Sequence, residues 1–344
     1  MKKYLGLALL GIMAGPLSAQ VARAPAGADT ASPLSKIPSL YCIVLSLHDT
    51  IRYDRHFNGT QPGDVFDDQS LTKSIGSLLI GIAIDKGMIS GVDEKLTHWF
   101  PGLKNDPDKR KQDITLREVM NQASGLYHEN LQSPTGIPDF LAIPDAGEYV
   151  LAAPLVTTPG SQFHYNNAGT HVLSLILTKA TGMDVRSFAT QYLFGPLGIS
   201  TFEWEKMKDG YYDLAGLQNV RLRTADLIRI GSLLLQEGRY EGKQIVSKRW
   251  IDLTLQPDLV YDSPWGFMPS KYALCWYHTS FRGNEMIYGM GWGGQFLIVI
   301  PALQLVMAVN QSHEDAKAPR QSGLFTEAIF PAFYEAIQEG KFNK

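Results

Sequence analysis

The run Phe66-Asp67-Asp68-Gln69-Ser70-Leu71-Thr72-Lys73-Ser74-Ile75-Gly76-Ser77-Leu78-Leu79-Ile80-Gly81-Ile82-Ala83-Ile84 organises the chain. Apolar residues at Leu71, Ile75, Leu78, Leu79 and Ile82 keep a helical period, with little polar surface between them. A helix this apolar belongs in the middle of a protein. Asp67 or Asp68 is expected to cap its start and Gly87 to end it. Ser70 and Lys73 then share one face of the first turn, three residues apart. A hydroxyl beside an amine shielded from water can act as a nucleophile and its base, because desolvation favours the neutral amine. The helix start adds backbone N–H groups near any oxyanion formed at Ser70. The same spacing also arises where a serine merely helps cap a helix and a lysine reaches solvent, so the rest of the chain must decide.

A chain of 344 residues, 44% hydrophobic and 19% charged, can bury a large core. Its net charge of −3 gives it no electrostatic reason to seek nucleic acid. Lys2-Lys3, an apolar run from Leu5 to Ala14 and Pro16-Leu17-Ser18-Ala19 read as a signal peptide over about residues 1–20. That run is too short to span a bilayer, so no stable membrane insertion is expected after cleavage. An exported protein, periplasmic or secreted, follows. Residues 21–39, rich in Ala, Pro and Ser, read as a linker. Cys42 and Cys275 sit in apolar, strand-like runs. Buried free thiols are the default expectation, with a bridge as the alternative in an oxidising compartment.

Strand patterns bracket the chain. Tyr41–Leu47, a turn at His48-Asp49-Thr50 and Ile51–Phe57 read as a hairpin. Tyr272–Phe281, Met286–Met290, Gln295–Ile300 and Leu305–Asn310 read as strands near the C-terminus, followed by a helix from Gly323 to Gln338 with Pro331 as a kink. Between them the patterns are helical, at Thr115–Ala123, Thr170–Ala180, Val185–Phe194, Thr224–Gln236 and Ser247–Leu255. Asp93–Phe100 is a short helix, while Tyr127–Phe163 and Tyr211–Leu222 read as loops. The expectation is an α/β (α+β) fold. A mainly antiparallel sheet flanked by helices comes from 34–85 plus 216–340, and an all-helical domain, 86–215, is inserted.

Gly289-Met290-Gly291-Trp292-Gly293-Gly294 spells a dinucleotide fingerprint, but a β run follows it where that motif needs a helix. A glycine-dense strand instead lets another backbone or a substrate come close. Tyr165-Asn166-Asn167 lies at a loop-to-helix junction, where a phenol near a lysine can trade protons with a serine. There is no G-x-S-x-G elbow, no H-E-x-x-H and no cysteine spacing for zinc. His128, His164 and His171 gather only loosely around Tyr165.

S-x-x-K, then Y-x-N, then a glycine-dense strand: in this order the chain resembles the beta-lactamase-related serine hydrolases. These include class C beta-lactamases, DD-peptidases, and esterases or amidases such as 6-aminohexanoate-dimer hydrolase. The likeness extends through Ile114-Thr115-Leu116-Arg117, Ser124-Gly125-Leu126, Thr158-Pro159-Gly160-Ser161-Gln162-Phe163, Pro196-Leu197-Gly198-Ile199 and Gly291-Trp292-Gly293-Gly294-Gln295. It implies a beta-lactamase/transpeptidase-like fold over about Tyr41 to Gln338. It also implies Ser70 as the acylated nucleophile, Lys73 as its base, Tyr165 as the proton relay and Asn167 as the group that positions Lys73 and substrate. The N–H groups of Ser70 and Gln295 would form the oxyanion hole, and no metal or organic cofactor is implied.

One departure bears on substrate. Where such enzymes carry K-T-G, or a motif beginning with His, this chain reads Trp292-Gly293-Gly294. An indole has one N–H and no charge. The expected partner is therefore a small-molecule ester or amide. A beta-lactamase or DD-peptidase is the alternative, and a non-catalytic relative that binds a peptide or cell-wall fragment is the alternative of another class.

Overall fold

A computed structural model describes residues 33–131, 133–313 and 318–342. The expected signal peptide and most of the linker lie outside them. Eight strands form the main sheet: β1 (Leu40–Leu47), β2 (Thr50–His56), β3 (Tyr261–Ser263), β4 (Ser270–Ala273), β5 (Trp276–Phe281), β6 (Asn284–Gly291), β7 (Gln295–Ile300) and β8 (Leu305–Gln311). Their order is β2-β1-β8-β7-β6-β5-β4-β3, and every pairing is antiparallel. Val44 faces Ala308, so the N-terminal hairpin and the last strand are neighbours in one sheet. Among the described residues, none between 57 and 260 enters it.

The central strands are apolar on both faces because both faces are covered. On one face Val44, Leu297, Val299, Val306 and Ala308 join the core built with α1 (Thr72–Asp85) and α3 (Thr224–Leu235). On the other, Ile43, Leu45, Phe296, Ile298, Met307 and Val309 pack with α4 (Phe330–Gln338) and the turn before it. The alternation follows the two-residue period of a strand. α1 is buried from Thr72 to Ala83. Its glycines are contact points: a Cβ at Gly81 would lie 2.4 Å from the Trp250 ring.

Several expectations change in detail. Tyr272–Phe281 is two strands, because Leu274 and Cys275 both take positive φ and turn the chain back. Tyr127–Phe163 holds two short helices, Gly136–Leu141 and Ala146–Ala152. Val220–Leu222 is a strand of a small sheet with Phe66–Asp67 and Glu203–Trp204. Thr224 is the first residue of its helix, and its hydroxyl donates to Asn310 Oδ1 at 2.8 Å. Ser247 caps the next helix, accepting from the Trp250 N–H at 3.1 Å. The closing helix starts at Ala318 and restarts at Phe330, beside Pro331. Cys42 and Cys275 are buried free thiols. No helix among the described residues is long and apolar enough to cross a membrane.

Candidate active site

Ser70 sits in a single 3-10 turn, Gln69–Leu71, that leads into α1. Gln69 holds φ at +51°, a strained value for a residue with a side chain. Asp67 anchors the turn, its Oδ1 accepting from the Gln69 N–H at 3.0 Å. Asp68 instead turns inward and accepts from Asn310 Nδ2 at 3.2 Å. Burial holds its carboxyl well above the usual range, and its side chain makes no cap bond to the turn. Two glycines let other backbone reach this turn. A Cβ at Gly216 would stand 2.7 Å from Ser70 Cα, and one at Gly291 would stand 2.4 Å from the Asp68 carbonyl oxygen. Neither approach was visible in the sequence, since both partners are distant along the chain.

Lys73 lies on the same face of α1, 2% exposed. Its Nζ donates toward Ser70 Oγ at 3.1 Å, to Asn167 Oδ1 at 2.6 Å and to the Ala215 carbonyl. The last two acceptors are uncharged, and they fix two of the three tetrahedral directions of the amine. The third points at Ser70, so in the neutral amine it is the lone pair that faces the hydroxyl. Tyr165 closes the group from the loop before α2 (Asn167–Thr181), its hydroxyl 2.7 Å from Ser70 Oγ. Lys73 Nζ stands 4.8 Å from the centre of the Tyr165 ring. Asn167 is held in turn by Glu129, a buried residue missed in the sequence reading. Its Oε1 accepts from Asn167 Nδ2 at 2.5 Å, and its Oε2 from the Ala168 N–H at 2.8 Å. A lone glutamate in a proline-rich run gave no signal.

The turn joining β6 to β7 carries Trp292, Gly293 and Gly294, both glycines at positive φ. Trp292 is 54% exposed. The Gln295 side chain is spent within the sheet, donating to the Gln311 carbonyl at 2.8 Å and accepting from the Gln311 N–H at 2.9 Å. Only the backbone of Gln295 is therefore left to meet a ligand. His313 lies against Gly293, and its Nε2 faces Asp67 Oδ2 at 3.7 Å. Arg282 bonds Glu335 at 2.8 Å, beyond the opposite end of β6. Seven residues of strand at ~3.3 Å each put it roughly 23 Å from Gly291.

His171, four residues after Asn167 on α2, is fully buried between two carboxylates. Its Nδ1 meets Asp213 at 2.7 Å and its Nε2 meets Asp209 at 2.8 Å. Asp213 also accepts from the N–H groups of Ala215 and Leu217, at 3.0 and 2.6 Å. The cluster therefore pins the loop that presents the Ala215 carbonyl to Lys73 and Gly216 to Ser70. Burial alone would lower the His171 pKa; the two acids outweigh it and hold it at about 9. A raised histidine stabilises the fold fully below its unfolded value near 6.5 and ceases to do so as pH rises through about 9. That interval corresponds to about 3 kcal/mol. Urea unfolding between pH 6 and 9.5 should show wild type losing about this much more stability than His171→Gln. Parallel pH curves for the two proteins would show the imidazolium to be unimportant.

His128 and His164 meet edge to face, ring centres 4.2 Å apart, and His171 belongs to the acid cluster instead. The three histidines flanking Tyr165 therefore form no common site.

The beta-lactamase family model matches residues 28–325. A relative in Dictyostelium discoideum, beta-lactamase-like protein 2, is 28% identical over 148 residues, covering 41% of this chain and 26% of its own length. The chain thus spans about a quarter of that relative. The 6-aminohexanoate-dimer hydrolase of Paenarthrobacter ureafaciens is 24% identical over 283 residues, covering 77% of this chain and 71% of its own. Among solved structures, the LovD9 mutant of simvastatin synthase from Aspergillus terreus superposes with a TM-score of 0.68 at 18% identity, covering 89% and 96% of the two chains. At that identity the likeness is one of fold.

Proposed function

Because the chain belongs to the beta-lactamase family, we propose that it is an exported serine hydrolase that acts through an acyl-enzyme on an ester or small amide. The single observation that carries this reading is the convergence of Lys73 Nζ and Tyr165 Oη on Ser70 Oγ, at 3.1 and 2.7 Å. Lys73 takes the Ser70 proton as Oγ attacks the substrate carbonyl. The Ser70 N–H, at a helix start, and the Gln295 N–H receive the oxyanion. Tyr165 then passes a proton to the leaving group and, in the second half, draws one from the water that frees the acid product. A binding module has no need of this arrangement.

The ester preference rests on Trp292. Charge-assisted hydrogen bonds are the strong ones, and the first position of the third motif here offers no cation for a ligand carboxylate. Arg282 is too far along its strand to replace it, and His313 already faces the Asp67 carboxylate. Losing one such bond contributes about 1.5–3 kcal/mol, or roughly ten- to a hundredfold in rate. Assayed side by side, p-nitrophenyl butyrate should therefore exceed nitrocefin in kcat/KM by at least about tenfold. Nitrocefin as the better substrate would overturn the ester reading while leaving the Ser70 chemistry intact.

A further inference from the structure

At one edge of the main sheet, three side chains from the first hairpin meet on one face. Cys42 on β1 lies directly across from His56 on β2, and Asp54 precedes His56 by two residues, so all three point the same way. Cys42 Sγ is 3.5 Å from His56 Nε2. His56 Nε2 is 3.3 Å from Asp54 Oδ1. The three donor atoms all lie within 4.8 Å of one another. We infer that Cys42, Asp54 and His56 form a binding site for a zinc-class divalent cation.

The spacing carries the inference. Zinc binds sulfur at about 2.3 Å and nitrogen or carboxylate oxygen at about 2.0–2.2 Å in tetrahedral geometry. The edges of that tetrahedron are then about 3.5 Å between S and N and about 3.3 Å between N and O. Both separations from His56 Nε2 match, and the thiol-to-carboxylate edge, about 3.6 Å in such a tetrahedron, lies within 4.8 Å here. The cluster is also short of hydrogen bonds: Asp54 Oδ1 is buried and makes none, despite facing His56. A cation would give that oxygen the partner it lacks. Thiolate, imidazole and carboxylate together suit zinc better than magnesium or calcium. The Cys42 proton leaves to solvent as the metal–sulfur bond forms. His56 and Asp54 keep 15% and 17% of their side-chain surface exposed, which leaves an entry path and a fourth position for water. The cation would clip β1 to β2.

The test uses the reduced, metal-stripped protein with zinc alone, then cobalt(II) as a spectroscopic probe. Equilibrium dialysis should give one zinc per chain, and cobalt should give a near-ultraviolet sulfur-to-metal charge-transfer band. Cys42→Ser should abolish the band. His56→Gln and Asp54→Asn, on the partly exposed edge strand, should each weaken zinc by more than about a hundredfold, beyond the loss typical of an outer-shell partner. Ser70→Ala should bind zinc as wild type does. If Cys42→Ser does not fold, the two edge-strand variants decide. Zinc well below one per chain, or affinities in those variants within threefold of wild type, would overturn the site.

Discussion

Ser70→Ala is expected to lose all labelling by a fluorophosphonate probe and to lower kcat/KM on p-nitrophenyl butyrate by about 10⁴- to 10⁶-fold. The hydroxyl is the only group at the site that both Lys73 and Tyr165 address, so its removal leaves the base and the relay with nothing to activate. Lys73→Ala should fall in the same range for a different reason. Asn167 Oδ1 and the Ala215 carbonyl hold the amine so that its free direction faces Ser70. Alanine takes away the proton acceptor, leaves the nucleophile in place, and opens a buried cavity at the start of α1. The double variant should be little worse than either single one, because residues that act as a unit do not add. Intact mass after probe treatment is the direct measurement. Covalent label surviving on the Ser70→Ala chain would remove Ser70 as the nucleophile.

The second large effect is at Tyr165. Tyr165→Phe keeps the ring beside Lys73 and deletes only the hydroxyl that sits 2.7 Å from Ser70 Oγ. Packing against Phe163 is preserved, because its ring meets the Tyr165 ring and not the hydroxyl. What is lost is a positioned proton donor and acceptor, worth typically 10²- to 10⁴-fold. Turnover should fall by that factor, while Ser70 still accepts the fluorophosphonate, more slowly. Stopped-flow assays should show the loss both in acyl-enzyme formation and in its breakdown, since one phenol serves both halves. A rate within threefold of wild type would assign the relay elsewhere.

His171 and Glu129 show why part of the site was not legible in advance. Each is an isolated ionisable residue in a stretch with no distinctive spacing. His171 finds Asp209 and Asp213 from a loop some forty residues later, and Glu129 reaches Asn167 from a run that reads as irregular. Their partners are fixed by how α2 packs, and no local pattern encodes that. The small errors in element placement have the same origin. The hairpin at Leu274-Cys275 was missed because its turn carries apolar residues at positive φ, where sequence cues lead one to expect Gly or Asn.

The sequence by itself determined the apolar helix with Ser70 and Lys73 on one face, the strands at both ends of the chain, and Tyr165 at the head of a helix. These are matters of period and local chemistry, which need only a few neighbouring residues to express. The tertiary structure alone decided that β1 lies beside β8 and that Tyr165 and Lys73 converge on one oxygen. It also decided that Gly216 and Gly291 admit distant backbone to the Ser70 turn, and that Cys42 meets Asp54 and His56 across a hairpin. Such contacts depend on register and packing between separate segments; within the sheet, a shift of one residue would turn Cys42 to the opposite face.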